Sequence, residues 1–363
     1  MFYSVFYKLL GANSSLVNIF KYVTFRSIGA FITSFLLILI FGKRFIRILR
    51  VQQKRGQPIR IDGPQSHIET KKGTPTLGGL MIIFSVFIGS VFWGDWANIN
   101  LWMSITVLIG FGAIGAIDDY FKIKRYDYHG LRGKKKFILQ AIIALLCCYI
   151  SMKIHPFSGA TKIFFPILKN CQIEIGPFFL IWAVFVIVGS SNAVNLTDGL
   201  DGLAMGSVIM SSICFAVISY LVGNKIFADY LQILYIPGMS EVCVFLSSMV
   251  GASLGFMWFN APPAKIFMGD TGSVAIGGSL GFVALLSKHE IVFALIGGVF
   301  VIETISVVLQ VGYYKLTGRR IFLMAPIHHH FEKKGWAEST IVFRFWIVSI
   351  VLGILGLATL KVR

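Results

Sequence analysis

Charge is what this sequence has least of. Asp, Glu, Lys and Arg together make up 13% of its 363 residues and apolar types make up 56%. Soluble domains carry about a quarter charged residues, so with a mean hydropathy of +0.78 a soluble globular domain is excluded. Acidic residues are the scarcer half, 16 against 33 basic ones, leaving a net charge of +17. The apolar runs also lack the strict alternation of a strand, which disfavours a transmembrane barrel. Cysteine is sparse: Cys147, Cys148, Cys171, Cys214 and Cys243 show no metal-ligand spacing, and they read as small apolar packing residues. No small-residue cleavage site follows a basic start. Met1 to Val23, apolar but interrupted by Lys8, Asn13 and Lys21, therefore reads as a peripheral or interfacial segment and not as a signal peptide.

What remains is an all-α polytopic membrane protein. A hydrocarbon core of roughly 30 Å takes about 20 apolar residues per helix, and ten runs approach that length: 29–46, 74–94, 100–117, 137–154, 177–194, 202–222, 241–259, 273–287, 290–311 and 341–360. The whole chain, 1–363, reads as one integral-membrane domain. Lys and Arg set its orientation. They crowd the loop after the first run (Lys43 to Lys72), the loop after the third (Lys122 to Lys136) and the loop after the ninth (Lys315 to Lys334), whereas the opposite connections hold few. The basic loops are expected in the cytoplasm and both termini in the periplasm. Attraction to anionic lipid accounts for part of this charge, and no nucleic-acid partner is expected.

Every unusual polar cluster falls on the basic side. Asp118 and Asp119 end the third run, where two carboxylates would face the negative pole of a helix dipole; a metal ion or neighbouring lysines would relieve the conflict. In VNLTDGLDG, Asn195, Asp198 and Asp201 are spaced three apart. They share neighbouring faces if the helix continues through them; otherwise they form a cap or an Asx turn. NAPPAKIFMGDTGS joins a Pro262-Pro263 pair to Asp270 and opens the next run with Thr271-Gly272-Ser273. Free N–H groups at such a helix start suit phosphate, and the carboxylate suits Mg²⁺. His328, His329 and His330 are consecutive and point different ways on any ordered backbone, so hydrogen bonding to phosphate fits them better than zinc. Gly110 to Gly115, GFGAIG, matches a dinucleotide fingerprint but sits inside a span, not between a strand and a helix; close helix packing explains it.

Carboxylates, lysines and a glycine-bordered helix start at one membrane face suit phosphoryl chemistry with Mg²⁺. A cation-coupled transporter is the competing reading. It would place its carboxylates near the midplane within broken helices and would show symmetry between halves; here they lie at one set of span ends.

Five segments, TKKGTPTLGG (70–79), AIDDYFK (116–122), NAVNLTDGLDG (192–202), PPAKIFMGDTGS (262–273) and APIHHHFEKKG (325–335), together resemble the phospho-N-acetylmuramoyl-pentapeptide transferase family, over essentially the whole chain. The aspartate motifs alone resemble the wider superfamily of polyprenyl-phosphate N-acetylhexosamine 1-phosphate transferases, which includes sister enzymes using UDP-GlcNAc. The resemblance implies a ten-helix enzyme of the bacterial inner membrane, often a homodimer. It would move phospho-MurNAc-pentapeptide from UDP-MurNAc-pentapeptide to undecaprenyl phosphate with Mg²⁺, giving lipid I and UMP for peptidoglycan. Carried over residue by residue, it implies catalytic roles for Asp118, Asp119, Asp270, His329 and His330. Asp270 would be the Mg²⁺ ligand, with Asp118 and Asp119 as further candidates, and Asp118 would deprotonate the lipid phosphate. Substrate contacts are implied for Lys71, Asn195, Asp198, Asn260 and Phe267. The clusters around them add Lys122, Asp201 and His328. One lysine of the 134–136 run is expected in the site, with Lys134 and Lys136 the candidates alongside Lys135.

Overall fold

A computed structural model of the chain describes residues 2–3, 18–53, 56–57, 71, 73–126, 130–154, 159–166 and 171–361. Most of the expected peripheral segment 1–23 lies outside these, as do Lys54, Arg55, Arg60 and Lys72 of the first basic loop.

The chain forms helices α1 (Val23–Gln52), α2 (Gly79–Trp93), α3 (Ile99–Arg125) and α4 (Gly133–Ile154), a small antiparallel hairpin of β1 (Lys162–Phe164) and β2 (Gln172–Glu174), then α5 (Phe179–Thr197), α6 (Leu203–Val222), α7 (Lys225–Leu231), α8 (Val242–Asn260), α9 (Gly269–Leu286), α10 (Glu290–Ile296), α11 (Gly298–Thr317), α12 (Ile327–Lys333) and α13 (Glu338–Ala358). Among the described residues nine helices are long and apolar enough to cross a membrane, and α2, with 15 residues, is a shorter apolar tenth. This is a multi-pass, all-α membrane protein.

All ten runs read from sequence correspond to helices, but three differ in ways that bear on the site. The second begins only at Gly79, because 74–78 is a non-helical strap: Phe267 N donates to Pro75 O at 2.9 Å, and Gly78 N donates to Phe267 O at 3.0 Å. The third continues two turns beyond Asp119, to Arg125. The ninth is split at Gly297 into α10 and α11, with α11 extending to Thr317.

α9 runs through the middle of the bundle, packed against α3, α5 and α2, and 89% of its span is buried. Its sequence, GDTGSVAIGGSLGFVALL, explains why. Without side chains at Gly277 and Gly281, the α5 backbone around Ser190 and Ile187 comes within contact distance, and Ser190 and Ser191 donate to the Gly277 and Val274 carbonyls at 2.6 and 3.0 Å. Small residues and hydroxyls of this kind hold helices together where lipid gives no hydrophobic drive. The GFGAIG stretch does the same from α3: a Cβ on Gly115 would overlap the Asp270 carbonyl.

At the end of the bundle away from the aspartate motifs, Arg26 of α1 is buried and makes a two-pronged pair with Glu241 at 2.6 and 2.5 Å. Asp95 N also donates to Glu241, at 3.1 Å, so this pair ties α1, the α2–α3 turn and the start of α8 together. Removing one partner leaves a buried charge unmatched, which costs about 3–5 kcal/mol. Glu241→Ala should therefore lower the thermal midpoint of the purified protein far more than Asp229→Ala on the exposed face of α7. Equal midpoints for the two would show that the pair is structurally idle.

Candidate active site

The conflict of two adjacent aspartates at a helix end is relieved in part as expected, by a neighbouring lysine, and in part by a longer helix. Because α3 runs on to Arg125, neither carboxylate sits at the negative helix pole. Both are buried, and each is matched by a separate group. Asp118 Oδ2 lies 2.6 Å from the Lys122 ammonium, one turn on, and Asp118 Oδ1 accepts from Leu131 N at 2.6 Å. Asp119 caps another helix. Its Oδ1 accepts from Asp270 N at 3.1 Å, and its Oδ2 accepts from Thr271 N at 2.9 Å and Thr271 Oγ1 at 2.7 Å. The first free N–H groups of α9 are thereby satisfied by a carboxylate from α3, the charge a helix N-terminus favours. Gly269 allows this approach. Its φ is +72°, and a Cβ there would collide with Asp119 Oδ2 and Thr76 Oγ1.

This corrects one expectation. The start of α9 is not an open phosphate cradle, since Asp119 already fills it, and Ser273 Oγ is held by Gly269 O and Asn195 Nδ2, both at 2.9 Å.

Asp270 stands on the first turn of α9 facing two ammonium groups, Lys122 at 3.0 Å and Lys136 at 2.5 Å. Lys136 is therefore the member of the 134–136 run that reaches the cluster. Successive helical residues point about 100° apart, and Lys134 and Lys135 are exposed on the outside of α4. One carboxylate oxygen from each of Asp118, Asp119 and Asp270 lies within 4.8 Å of the others. Three hard oxygen donors at that spacing could hold a metal ion, and Asp118 Oδ2 is a buried oxygen with no aligned hydrogen-bond donor. Asp118 and Asp270 are the freer ligands, because Asp119 is occupied with the α9 backbone.

A second cluster adjoins the first. α5 stops at Thr197, so Asn195, Asp198 and Asp201 do not share a helical face; the chain turns at 198–202 and restarts at Leu203 after Gly202, whose φ is +78°. Asp201 faces Lys71 at 2.8 Å and accepts from Ala264 N at 2.9 Å. Asn260 is buried and brackets the same loops, accepting from Gly202 N at 3.0 Å and donating to Ile266 O at 2.9 Å. It organises backbone and does not present its amide to an open surface. Phe267 is half-buried on the strap-bound segment. Lys71 also meets Glu338 at 2.8 Å. Burial alone would lower the Lys71 pKa, but the two carboxylates outweigh it and hold it above the ordinary lysine value.

Asp198 joins the clusters. Burial, together with repulsion from Asp270, Asp201 and Asp119, pushes its pKa well above the usual carboxylate range, only partly offset by Lys71. It feels both groups of charges, so they are two sides of one polar basin.

The histidines divide. His328 is fully buried, 3.0 Å from the equally buried Glu303 of α11 and packed against Gly199. It supports the 198–202 turn from behind and does not line an open surface as expected of a substrate contact. His329 pairs with Glu332 at 2.6 Å, and His330 Nδ1 accepts from Leu323 N at 3.1 Å; both are half-buried. Glu338, Glu303 and the capping of α9 by Asp119 escaped sequence reading. An acid in the first turn of an apolar run reads as ordinary dipole complementation, and a lone Glu inside a run has no partner visible in one dimension.

The model of glycosyl transferase family 4 matches residues 100–288, just over half the chain. The chain belongs to glycosyl transferase family 4. It is thus a transferase of the polyprenyl-phosphate hexosamine 1-phosphate superfamily, moving a phospho-sugar to polyprenyl phosphate. The matched window of this transferase holds the three clustered aspartates and the 198–202 turn, whereas the strap at 74–78, Lys71 and the α12 histidines lie outside it.

One consequence concerns Asp198. Its charged form is disfavoured in the folded protein, so Asp198→Asn should stabilise the transferase at pH 8, on the order of 1 kcal/mol. The gain should shrink as pH falls below the raised native pKa and disappear only near the ordinary carboxylate value, where folded and unfolded states are both protonated. Thermal melts of both proteins between pH 5 and 8.5 check this; a gain of the same size at every pH would contradict it. A second consequence concerns Gly269→Ala, which should displace Asp119 from the start of α9 and lower both stability and divalent-ion binding, read by Mn²⁺ paramagnetic resonance.

Proposed function

We propose that this transferase moves phospho-MurNAc-pentapeptide from UDP-MurNAc-pentapeptide to undecaprenyl phosphate, giving lipid I and UMP at the cytoplasmic face of the bacterial inner membrane, with Mg²⁺ as its ion. The observation that carries this reading is the docking of the segments outside the family match. Lys71 reaches Asp201, the 74–78 strap pairs with Phe267, and His328 of α12 packs on Gly199. The sequence features that resemble the muramoyl-pentapeptide branch are thus built into the same basin as the superfamily aspartates.

A soluble anionic nucleotide approaches from the basic side, and the apolar lipid chain stays in the bilayer with its phosphate at the basin. An oxygen of the lipid phosphate attacks the sugar-linked phosphorus of the diphosphate; a new P–O bond forms as the bond to the bridging oxygen breaks, and UMP leaves with that electron pair. Asp118 takes a proton from the lipid phosphate, and Lys122 and Lys136 orient and neutralise phosphate oxygens. Mg²⁺, when held by Asp118 and Asp270 with Asp119 behind them, supplies charge neutralisation. Positioning and electrostatics carry such a reaction.

The deciding measurement is UMP release by the purified protein in detergent with undecaprenyl phosphate and either UDP-MurNAc-pentapeptide or UDP-GlcNAc, with and without Mg²⁺. Release with the muramoyl donor and Mg²⁺ is expected, falling by about 10²-fold or more in Asp270→Asn. Release with UDP-GlcNAc instead would move the protein to the sister branch. Direct attack also predicts that no phosphorylated protein accumulates with the sugar nucleotide alone; trapping one would replace it with a two-step route.

A further inference from the structure

Glu338 is the first residue of α13, lies outside every motif and outside the family match, and accepts two donors on one oxygen. Its Oε1 is 2.8 Å from Lys71 Nζ and 2.8 Å from Asp201 N. Lys71 is also 2.8 Å from Asp201 Oδ1, and Asp201 Oδ2 holds Ala264 N. Three segments remote in sequence, at Lys71, 198–202 and 261–268, therefore meet at the head of the last span. An ammonium has three N–H donors. Glu338 and Asp201 take two of them, which fixes the direction of the third. Two carboxylates on one ammonium exceed what charge pairing alone needs, as expected of an arrangement that orients a cation rather than merely neutralising it.

We propose that Glu338 is a positioning residue for the transfer reaction: by holding Lys71 against Asp201, it orients the remaining ammonium N–H for contact with the sugar nucleotide. This rests on the proposed function, in which Lys71 is a substrate contact. Glu338 itself touches no reacting atom, and its effect passes entirely through Lys71. Losing it should weaken capture of the nucleotide more than it slows chemistry.

The test is a double-mutant cycle in the full-length protein, using UMP release with whichever sugar nucleotide the wild type accepts. Glu338→Ala should raise KM for the sugar nucleotide about tenfold and change kcat less. Glu338→Gln, whose amide oxygen still accepts from Asp201 N but carries no charge for Lys71, should fall between. In a Lys71→Ala background, Glu338→Ala should add nothing further to KM. An undiminished KM effect in that background would overturn the proposal and leave Glu338 as a structural tie, as would an unchanged KM in Glu338→Ala. If Glu338→Ala does not fold, the cycle is run with Glu338→Gln. If the wild type turns over neither sugar nucleotide, the proposed function fails on its own. Calorimetric binding of UDP to the same four proteins then decides the Glu338 inference: weakened binding that is coupled to Lys71 upholds it, and UDP binding that is absent or uncoupled overturns it.

Discussion

The carboxylate of Asp119 at the start of α9 is the contact on which the rest of the site depends. A helix buried on all sides has no water for its first N–H groups, so an internal acceptor has to reach them. Asp119 does so across a gap that only glycines at 115 and 269 leave open. In doing so it fixes α3 against α9 at the level where Asp118 and Asp270 project. The essential-looking aspartate pair thus divides its labour: one member builds the floor, and the other faces the basin.

Charge around that floor is shared, with lysines serving more than one carboxylate. Lys122 serves Asp118 and Asp270, Lys136 serves Asp270, and Lys71 serves Asp201 and Glu338. Asp198 alone, among the described acidic residues of the basin, has no close cation, and its carboxyl is correspondingly hard to ionise. With three lysines facing six carboxylates, the basin is short of positive charge and suited to receive a cation with its anionic substrate. The same imbalance makes it less stable than it could be, a common cost of function.

Much of this was legible in one dimension because lipid imposes simple demands. Apolar length marked the nine described helices long enough to cross a membrane and the shorter α2, and Lys and Arg placement put the polar motifs on one side. The glycines of GFGAIG read as packing residues, and Gly115 against Asp270 shows what they pack. Of the two arrangements that the spacing of Asn195, Asp198 and Asp201 left open, the turn is the one formed, because two Asp-Gly pairs end the helix. Other expectations failed for identifiable reasons. The Thr271-Gly272-Ser273 start suggested a phosphate cradle, but an acceptor 151 residues away had already filled it. His328 looked like its neighbours, yet lies on the inward face of a two-turn helix.

The sequence by itself determined the class of molecule, the apolar helices and the residue types available for phosphoryl chemistry, because hydropathy and charge act through composition and short-range periodicity. Which aspartate caps and which faces substrate, which of three lysines enters the site, and that Glu338 meets Lys71 were decided only by tertiary structure. Those choices depend on helix rotation and on contacts between segments more than a hundred residues apart, and no local pattern encodes either.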